Sequence, residues 1–288
     1  MKTFAQITDL HITTLDDPYK SKERNDARLR DVLTTIYNLK PRPVAIIASG
    51  DLVDRGEARE YVEFRNLISD FREIPIYAGM GNHDLRAPFR EIFPDRSQVY
   101  YEVDQNGFIQ YEVDFGDIRL VMIDTLDEYD NGTQHRESGA FCNKRANWLK
   151  KTLSRHSNKP TMLALHHPPI RSGIYWMDAR EKYDWQKRLG DAVKNRKQVR
   201  TMMCGHLHRA YHSSFANQIV SASPATSIQL TLNLTEVDLR VPDGREILVE
   251  EPAGFSLHMW DHGELTTHVC VAPAFPSAVQ YEYPFVKA

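Results

Sequence analysis

Five short clusters in this chain carry side chains able to hold a metal ion or move a proton. They are Asp9-Leu10-His11, Gly50-Asp51-Leu52-Val53-Asp54, Gly81-Asn82-His83-Asp84, His166-His167-Pro168-Pro169 and Gly205-His206-Leu207-His208. The donors are imidazoles, carboxylates and one amide, with no thiolate among them. That set suits Fe, Mn, Zn or Co better than a sulfur site, and the imidazoles argue against calcium. Residues i and i+2 of an extended segment point the same way. Asp9 with His11, and His206 with His208, should therefore project together, about 6–7 Å apart. Seven donors (Asp9, His11, Asp51, Asn82, His166, His206 and His208) are too many for one tetrahedral ion and suit two. Two divalent ions carry about +4, Asp9 and Asp51 offset about 2, and a bound hydroxide about 1, so a residual charge near +1 would attract a phosphodiester monoanion. A neutral Asn82 oxygen completes a shell without cancelling that charge.

Such a site needs a scaffold that brings distant segments to one rim, and the flanking sequence supplies it. Thr3–Thr8, Pro43–Ser49, Ile74–Ala78, Thr161–Leu165 and Val199–Cys204 read as strands, each running into one cluster. Pro43–Ser49 is a continuous apolar run, as expected of a strand buried on both faces. Between them, Lys22–Lys40, Glu57–Asp70, Asn143–Arg155 and Asp178–Asn195 have helical periodicity, and Ile109–Val113 with Ile118–Asp124 read as a strand pair. Strands alternating with helices imply an α/β fold. Ligands in such folds collect at the carboxyl ends of strands, where all five clusters lie. Glycine before Asp51, Asn82 and His206 lets the backbone turn sharply and come close. After about residue 222 the helical period stops. Strand-like segments and turns follow, with Phe255–Trp260 and Glu264–Val271 reading as a hairpin. The expected division is a catalytic domain over 1–222 and a strand-rich extension over 223–288 that completes the sheets, forms a cap or joins a homodimer or higher homo-oligomer.

Bulk properties narrow the partners. Formal net charge is −3 over 288 residues, and the densest basic run, Lys194-Asn195-Arg196-Lys197, reads as a solvated helix end. No nucleic-acid polymer is expected, because such a partner needs a basic groove. Cys142, Cys204 and Cys270 are scattered, with no CxxC spacing, which fits a reducing compartment. No apolar run reaches the roughly 20 residues of a membrane span. The start MKTFAQITDLH has no signal-peptide core, so the cytoplasm is the expected location.

The clusters, in this order over residues 9–208, resemble the DxH, GDxxD, GNHD, H and GHxH motifs of the calcineurin-like metallophosphoesterase family. The HHPP form and Ser223-Pro224-Ala225-Thr226-Ser227 are similar to its class III cyclic-nucleotide phosphodiesterases and the related glycerophosphodiesterases. The resemblance implies a four-layer α/β/β/α sandwich holding two metals. It assigns Asp9, His11 and His208 to one ion and Asn82, His166 and His206 to the other, with Asp51 bridging. His83 would lie over the open side near the phosphate, as candidate general acid. His166 rather than His167 matches the ligand position, and His167 is left to line the pocket or pack. Asp54 and Asp84 are expected to orient imidazoles. The expected reaction is phosphodiester hydrolysis by a metal-activated hydroxide, with a 3′,5′-cyclic nucleotide as leading substrate. Glycerophosphodiesters or broader phosphate esters come second, and a non-catalytic scaffold is a remote third. Residues 172–177 could form an aromatic wall beside a base. His135, His156, His212, His258, His262 and His268 fit no motif.

Overall fold

The structure, a computed structural model, describes residues 1–17, 20–128, 136–178 and 184–278. The elements run β1 (Lys2–Ile7), β2 (Asp16–Asp17), β3 (Lys20–Ser21), α1 (Lys22–Asn38), β4 (Ala45–Ala48), α2 (Ala58–Leu67), β5 (Ile76–Ala78), α3 (Arg86–Ile92), β6 (Val99–Tyr100), β7 (Tyr111–Asp114) and β8 (Arg119–Met122). After a 3₁₀ turn at Arg136–Ser138 come α4 (Asn143–Arg155), β9 (Thr161–Ala164), α5 (Tyr175–Asp178), α6 (Asp184–Val193), β10 (Val199–Cys204), β11 (Tyr211–Phe215), β12 (Gln218–Ala222), β13 (Gln229–Leu230), β14 (Leu248–Val249), β15 (Ala253–Asp261) and β16 (Glu264–Ala272).

Two mixed six-stranded sheets form, ordered β16-β15-β1-β4-β5-β6 and β11-β12-β10-β9-β8-β7. Side-chain alternation along the central strands explains how they stack. In β8, Leu120 and Met122 enter the core shared with the first sheet, while Val121 faces a second core. In β9, Met162 and Ala164 take the first direction and Leu163 the second. The first core holds Phe4, Ile7, Ile46 and Ile47 with Leu29, Val32, Leu33 and Ile36 of α1 and Tyr61 and Phe64 of α2. The second holds Leu149 and Leu153 of α4 with Trp185, Leu189 and Val193 of α6. Both faces of each sheet are therefore apolar, and the layers are α/β/β/α. That is why the strands read as continuous hydrophobic runs.

The last hairpin belongs to the first sheet. β15 pairs antiparallel with β1, Phe4 opposite His258 and Gln6 opposite Ser256. His262 (φ 49°) and Gly263 (φ 85°) form the two-residue link to β16, and positive φ at both positions suits a turn that follows strand twist. His258, left without a role by its sequence context, is fully buried between Gln6 Oε1 (3.1 Å) and Thr267 Oγ1 (2.8 Å). His135 lies outside the described residues.

Two helices differ from expectation. α3 follows the GNHD cluster directly and carries Pro88 in its first turn. Proline is tolerated there because those N–H groups have no intrahelical partner, but the same proline breaks the helical pattern on paper. Of the expected helix over 178–195, the described residues hold α6, while α5 ends at residue 178 and 179–183 lie outside them. Among the described residues no helix is long and apolar enough to cross a membrane.

Candidate metal centre

β1, β4, β5, β9 and β10 point their carboxyl ends at one rim, and each ends in one of the five clusters. β1, β4 and β5 are mutually parallel, as are β9 and β10, so parallel pairing delivers the clusters together. The rim backbone is strained. Nine non-glycine residues among those described have positive φ, and five of them are Asp9 (52°), His11 (45°), Asp51 (49°), His206 (72°) and His208 (46°). Left-handed backbone at non-glycine residues costs free energy and concentrates where side chains must be aimed.

The candidate ligands converge in two groups. Around Asp9, His11 and His208, the Nε2 atoms of the two histidines stand 2.9 Å apart, and Asp9 Oδ1 is 3.6 Å from His208 Nε2. Around Asn82, its Oδ1 lies 3.2 Å from His166 Nε2 and 2.9 Å from His206 Nδ1. Asp51 stands between the groups, its Oδ2 at 3.2 Å from His166 Nε2 and 3.6 Å from His11 Nε2.

The donor chemistry fits a cation. His208 Nδ1 bonds the Ile228 carbonyl at 2.7 Å. A carbonyl only accepts, so that nitrogen carries the hydrogen and neutral His208 presents a lone pair at Nε2. His11 Nδ1 meets the Asp54 carboxylate at 3.3 Å, with the same consequence, and His166 Nδ1 meets the Ser49 carbonyl at 3.2 Å. In their neutral forms His11 and His208 turn lone pairs toward each other, and His166 turns one toward the Asn82 oxygen. These contacts repel unless a positive charge sits among them, and outer bonds of this kind fix the tautomer of a metal-binding imidazole.

Without metal, protons fill part of that role. Burial disfavours a charged His166, but Asp51 and Asp9 outweigh it and raise its pKa to about 9. Burial would raise Asp51, yet His166, His83 and His11 pull it well below the ordinary carboxylate value. Burial, aided by His11, pushes His208 down to about 4. A metal that uses His166 must displace its proton.

The supporting residues divide their work. Asp54 orients His11 through its carboxylate, while its carbonyl takes His83 Nδ1 at 2.6 Å. Asp84, expected to orient an imidazole, ties the loops together. Its carboxylate accepts from the Gly81 and Leu52 N–H groups (2.9 and 3.3 Å) and from the Tyr61 hydroxyl (3.0 Å). Burial and the Asp51 charge raise its pKa to about 7. His167 is fully buried, its Nδ1 2.8 Å from Thr125 Oγ1 and its ring 4.8 Å from that of His206. His83 donates its N–H to Asp51 Oδ1 at 2.8 Å, and its ring, about one-third exposed, lines a cavity of about 340 Å³ over the centre. Asn25, Glu137, Ile247 and Leu248 also line that cavity. No motif marks them, because they reach it from elements outside the five clusters.

Two expected outcomes follow from these contacts. Asp54→Ala should weaken metal binding about 10–100-fold by freeing His11 to rotate. Competition with a chromogenic chelator measures this, and unchanged affinity would refute the orienting role. At Gly81, an added Cβ would lie 2.2 Å from Asp51 Oδ1 and 2.4 Å from Asp51 N. Glycine is needed there for close approach, and Gly81→Ala should cost about 1–3 kcal/mol of stability in urea unfolding. A midpoint equal to wild type would show that the rim yields freely.

The sequence matches the calcineurin-like phosphoesterase family over residues 2–210. The chain belongs to this family. Its phosphoesterase relatives use a binuclear metal site, and the Asp and His groups gathered at the rim are of the kind that holds metal. Among curated relatives, a probable glycerophosphodiester phosphodiesterase of Arcobacter nitrofigilis is 28% identical, over 98% of this chain and 96% of its own length. A cAMP/cGMP dual specificity phosphodiesterase of Mycobacterium tuberculosis is 30% identical, over 83% and 72%. Among solved structures, a dimetal phosphatase from Danio rerio has the same fold, with TM-score 0.67, 13% identity and coverage of 94% and 96%.

Proposed function

We propose that this phosphoesterase hydrolyses phosphodiesters at a two-metal centre, with 3′,5′-cyclic nucleotides as leading substrates. The observation that carries the reading is Asp51. Its buried carboxylate reaches an imidazole of each ligand group and opens into the cavity through His83. Asp9, His11 and His208 would hold one ion, and Asn82, His166 and His206 the other, with Asp51 shared. When bound, such ions lower the pKa of a water toward neutrality and offset negative charge on phosphoryl oxygens. Fe, Mn, Zn or Co suits this ligand set.

The remaining work falls to the chain. Asn82 adds a donor without adding negative charge, which keeps the site attractive to a monoanion. Asp54 fixes His11. His83 Nδ1 is held by the Asp54 carbonyl, which leaves Nε2 as the nitrogen that can carry a proton toward the leaving alkoxide. The fold by itself does not distinguish an enzyme from a scaffold. The ligand set does, since all five motifs are intact.

Glycerophosphodiesters form a second reading, supported by the Arcobacter relative that aligns along nearly the whole chain. Turnover of bis-p-nitrophenyl phosphate with added Mn²⁺ tests catalysis, and inactivity across the candidate metals would sink the enzymatic reading. Comparison of kcat/KM for cyclic AMP, cyclic GMP and glycerophosphoethanolamine then tests the substrate class.

A further inference from the structure

The cavity over the centre has a second end that the hydrolytic chemistry does not use. Trp176 and Met177 form one wall, and Leu230, Ile247 and Leu248 another. The first wall rides on a closed turn. The Asp178 carboxylate accepts from the Ser172 N–H (2.9 Å), the Ser172 hydroxyl (3.0 Å) and the Gly173 N–H (2.8 Å). The Ile174 N–H donates to Ser172 Oγ at 3.0 Å, and the Ile174 side chain is buried. Gly173 has φ 81°, a backbone state open to glycine. The Tyr175 hydroxyl donates to Glu236 at 3.1 Å, tying the turn to the segment after β13. The second wall is the β13–β14 ribbon, fastened to the metal rim where the Leu230 N–H donates to the His208 carbonyl at 3.1 Å. Both walls are thus tethered, so Trp176 lines the cavity with little ordering left to do on binding.

We infer that the turn 172–178 is the specificity element of the site, with Trp176 as the platform for the planar base of a nucleotide substrate. This inference rests on the phosphodiesterase reading above. A flat ring gains from one aromatic face and aliphatic surroundings, and stacking of this kind is sequence-tolerant among bases. The side chains of these two walls carry no oxygen for a glycerol hydroxyl to bond. An ammonium group favours a cage of several aromatic faces, whereas Trp176 is the sole Trp, Tyr or Phe lining the cavity among the described residues. Asp178 is a positioning residue, acting through the turn.

The test uses full-length protein loaded with Mn²⁺. Trp176→Ala should raise KM for the preferred cyclic nucleotide by about 10–100-fold, the range expected for one lost stacking contact. Its kcat should change less than about threefold, because the loss is in binding rather than in the transition state. Trp176→Phe should recover most of the loss. The ratio of kcat/KM for the cyclic nucleotide to that for glycerophosphoethanolamine should fall about tenfold or more. Inhibition by inorganic phosphate, which reports the intact centre, should keep its wild-type Ki. Asp178→Ala should raise the same KM with the same silence in the phosphate Ki. A cyclic-nucleotide KM unmoved in Trp176→Ala, or a phosphate Ki that moves in step with it, overturns the platform while leaving the phosphodiesterase reading intact. Wild-type protein inert toward both cyclic nucleotides but active on glycerophosphoethanolamine overturns the substrate reading and this inference together.

Discussion

Asp51→Asn is expected to reduce bound metal from about two equivalents to one or fewer and to lower phosphodiester turnover by about 10³-fold or more, several kcal/mol of lost charge stabilisation at about 1.36 kcal/mol per tenfold. The reason is positional. Asp9 Oδ1 stands 3.6 Å from His208 and 3.9 Å from His166, but Asp51 Oδ2 comes closer to the second group, within 3.2 Å of His166 and 3.6 Å of His11. It is the charge both ions would share, and an amide of the same shape removes that charge while keeping an oxygen for the His83 N–H. Two effects combine. The positive ions lose an anion between them, and His166 loses the partner that most favours its charged state in the metal-free protein. Metal analysis after gel filtration, paired with turnover on bis-p-nitrophenyl phosphate, decides the matter. Two retained equivalents with near wild-type rate would mean that Asp51 bridges nothing. The Asn variant is preferable to Ala because Asp51 is 1% exposed, and a cavity there would confound metal loss with unfolding.

How much of this could be read from the chain differs between framework and site. Strand ends were legible because parallel strands covered on both faces leave unbroken apolar runs, as at Ala45–Ala48 and Thr161–Ala164, and because each run stops at polar residues that cannot be buried without partners. The seven candidate ligands were legible from residue type; the i, i+2 reading assumes an extended backbone, whereas Asp9, His11, His206 and His208 sit at φ 52°, 45°, 72° and 46°, so strand alternation does not set their directions. Contacts across the sequence were not legible. Ser49 and Ile228 act through backbone carbonyls, which any residue type supplies. Asp84 is marked by the GNHD cluster, but its contacts with the Leu52 N–H and the Tyr61 hydroxyl cross the sequence and leave no local pattern. Pro88 hid α3, because proline disfavours a helix everywhere except the first turn. Ile247 and Leu248 reach the cavity at the start of β14, a two-residue strand too short to leave a period.

His83→Ala should leave both metals bound and lower kcat by about 10²–10⁴-fold on a substrate with an alkoxide leaving group, the range for losing a positioned proton donor. The geometry separates it from the ligands. His83 touches Asp51 through its backbone N–H, which alanine keeps, and its ring is held by the Asp54 carbonyl at 2.6 Å and packs edge-on against His11 at 4.6 Å. Removing the ring therefore spares the donors of both groups. If His83 delivers a proton, the loss must depend on the leaving group. An alkoxide needs protonation as the bond to phosphorus breaks, whereas p-nitrophenolate departs as the anion. The expected pattern is a deep loss on a cyclic nucleotide and a loss at least tenfold smaller, roughly, on bis-p-nitrophenyl phosphate. Equal losses on both would assign His83 to stabilising charge on the phosphoryl oxygens, since that interaction is made whatever group departs. Loss of metal in His83→Ala would instead place the ring among the ligands, where His11, Asp51 and His83 already have donor atoms within 4.8 Å of one another.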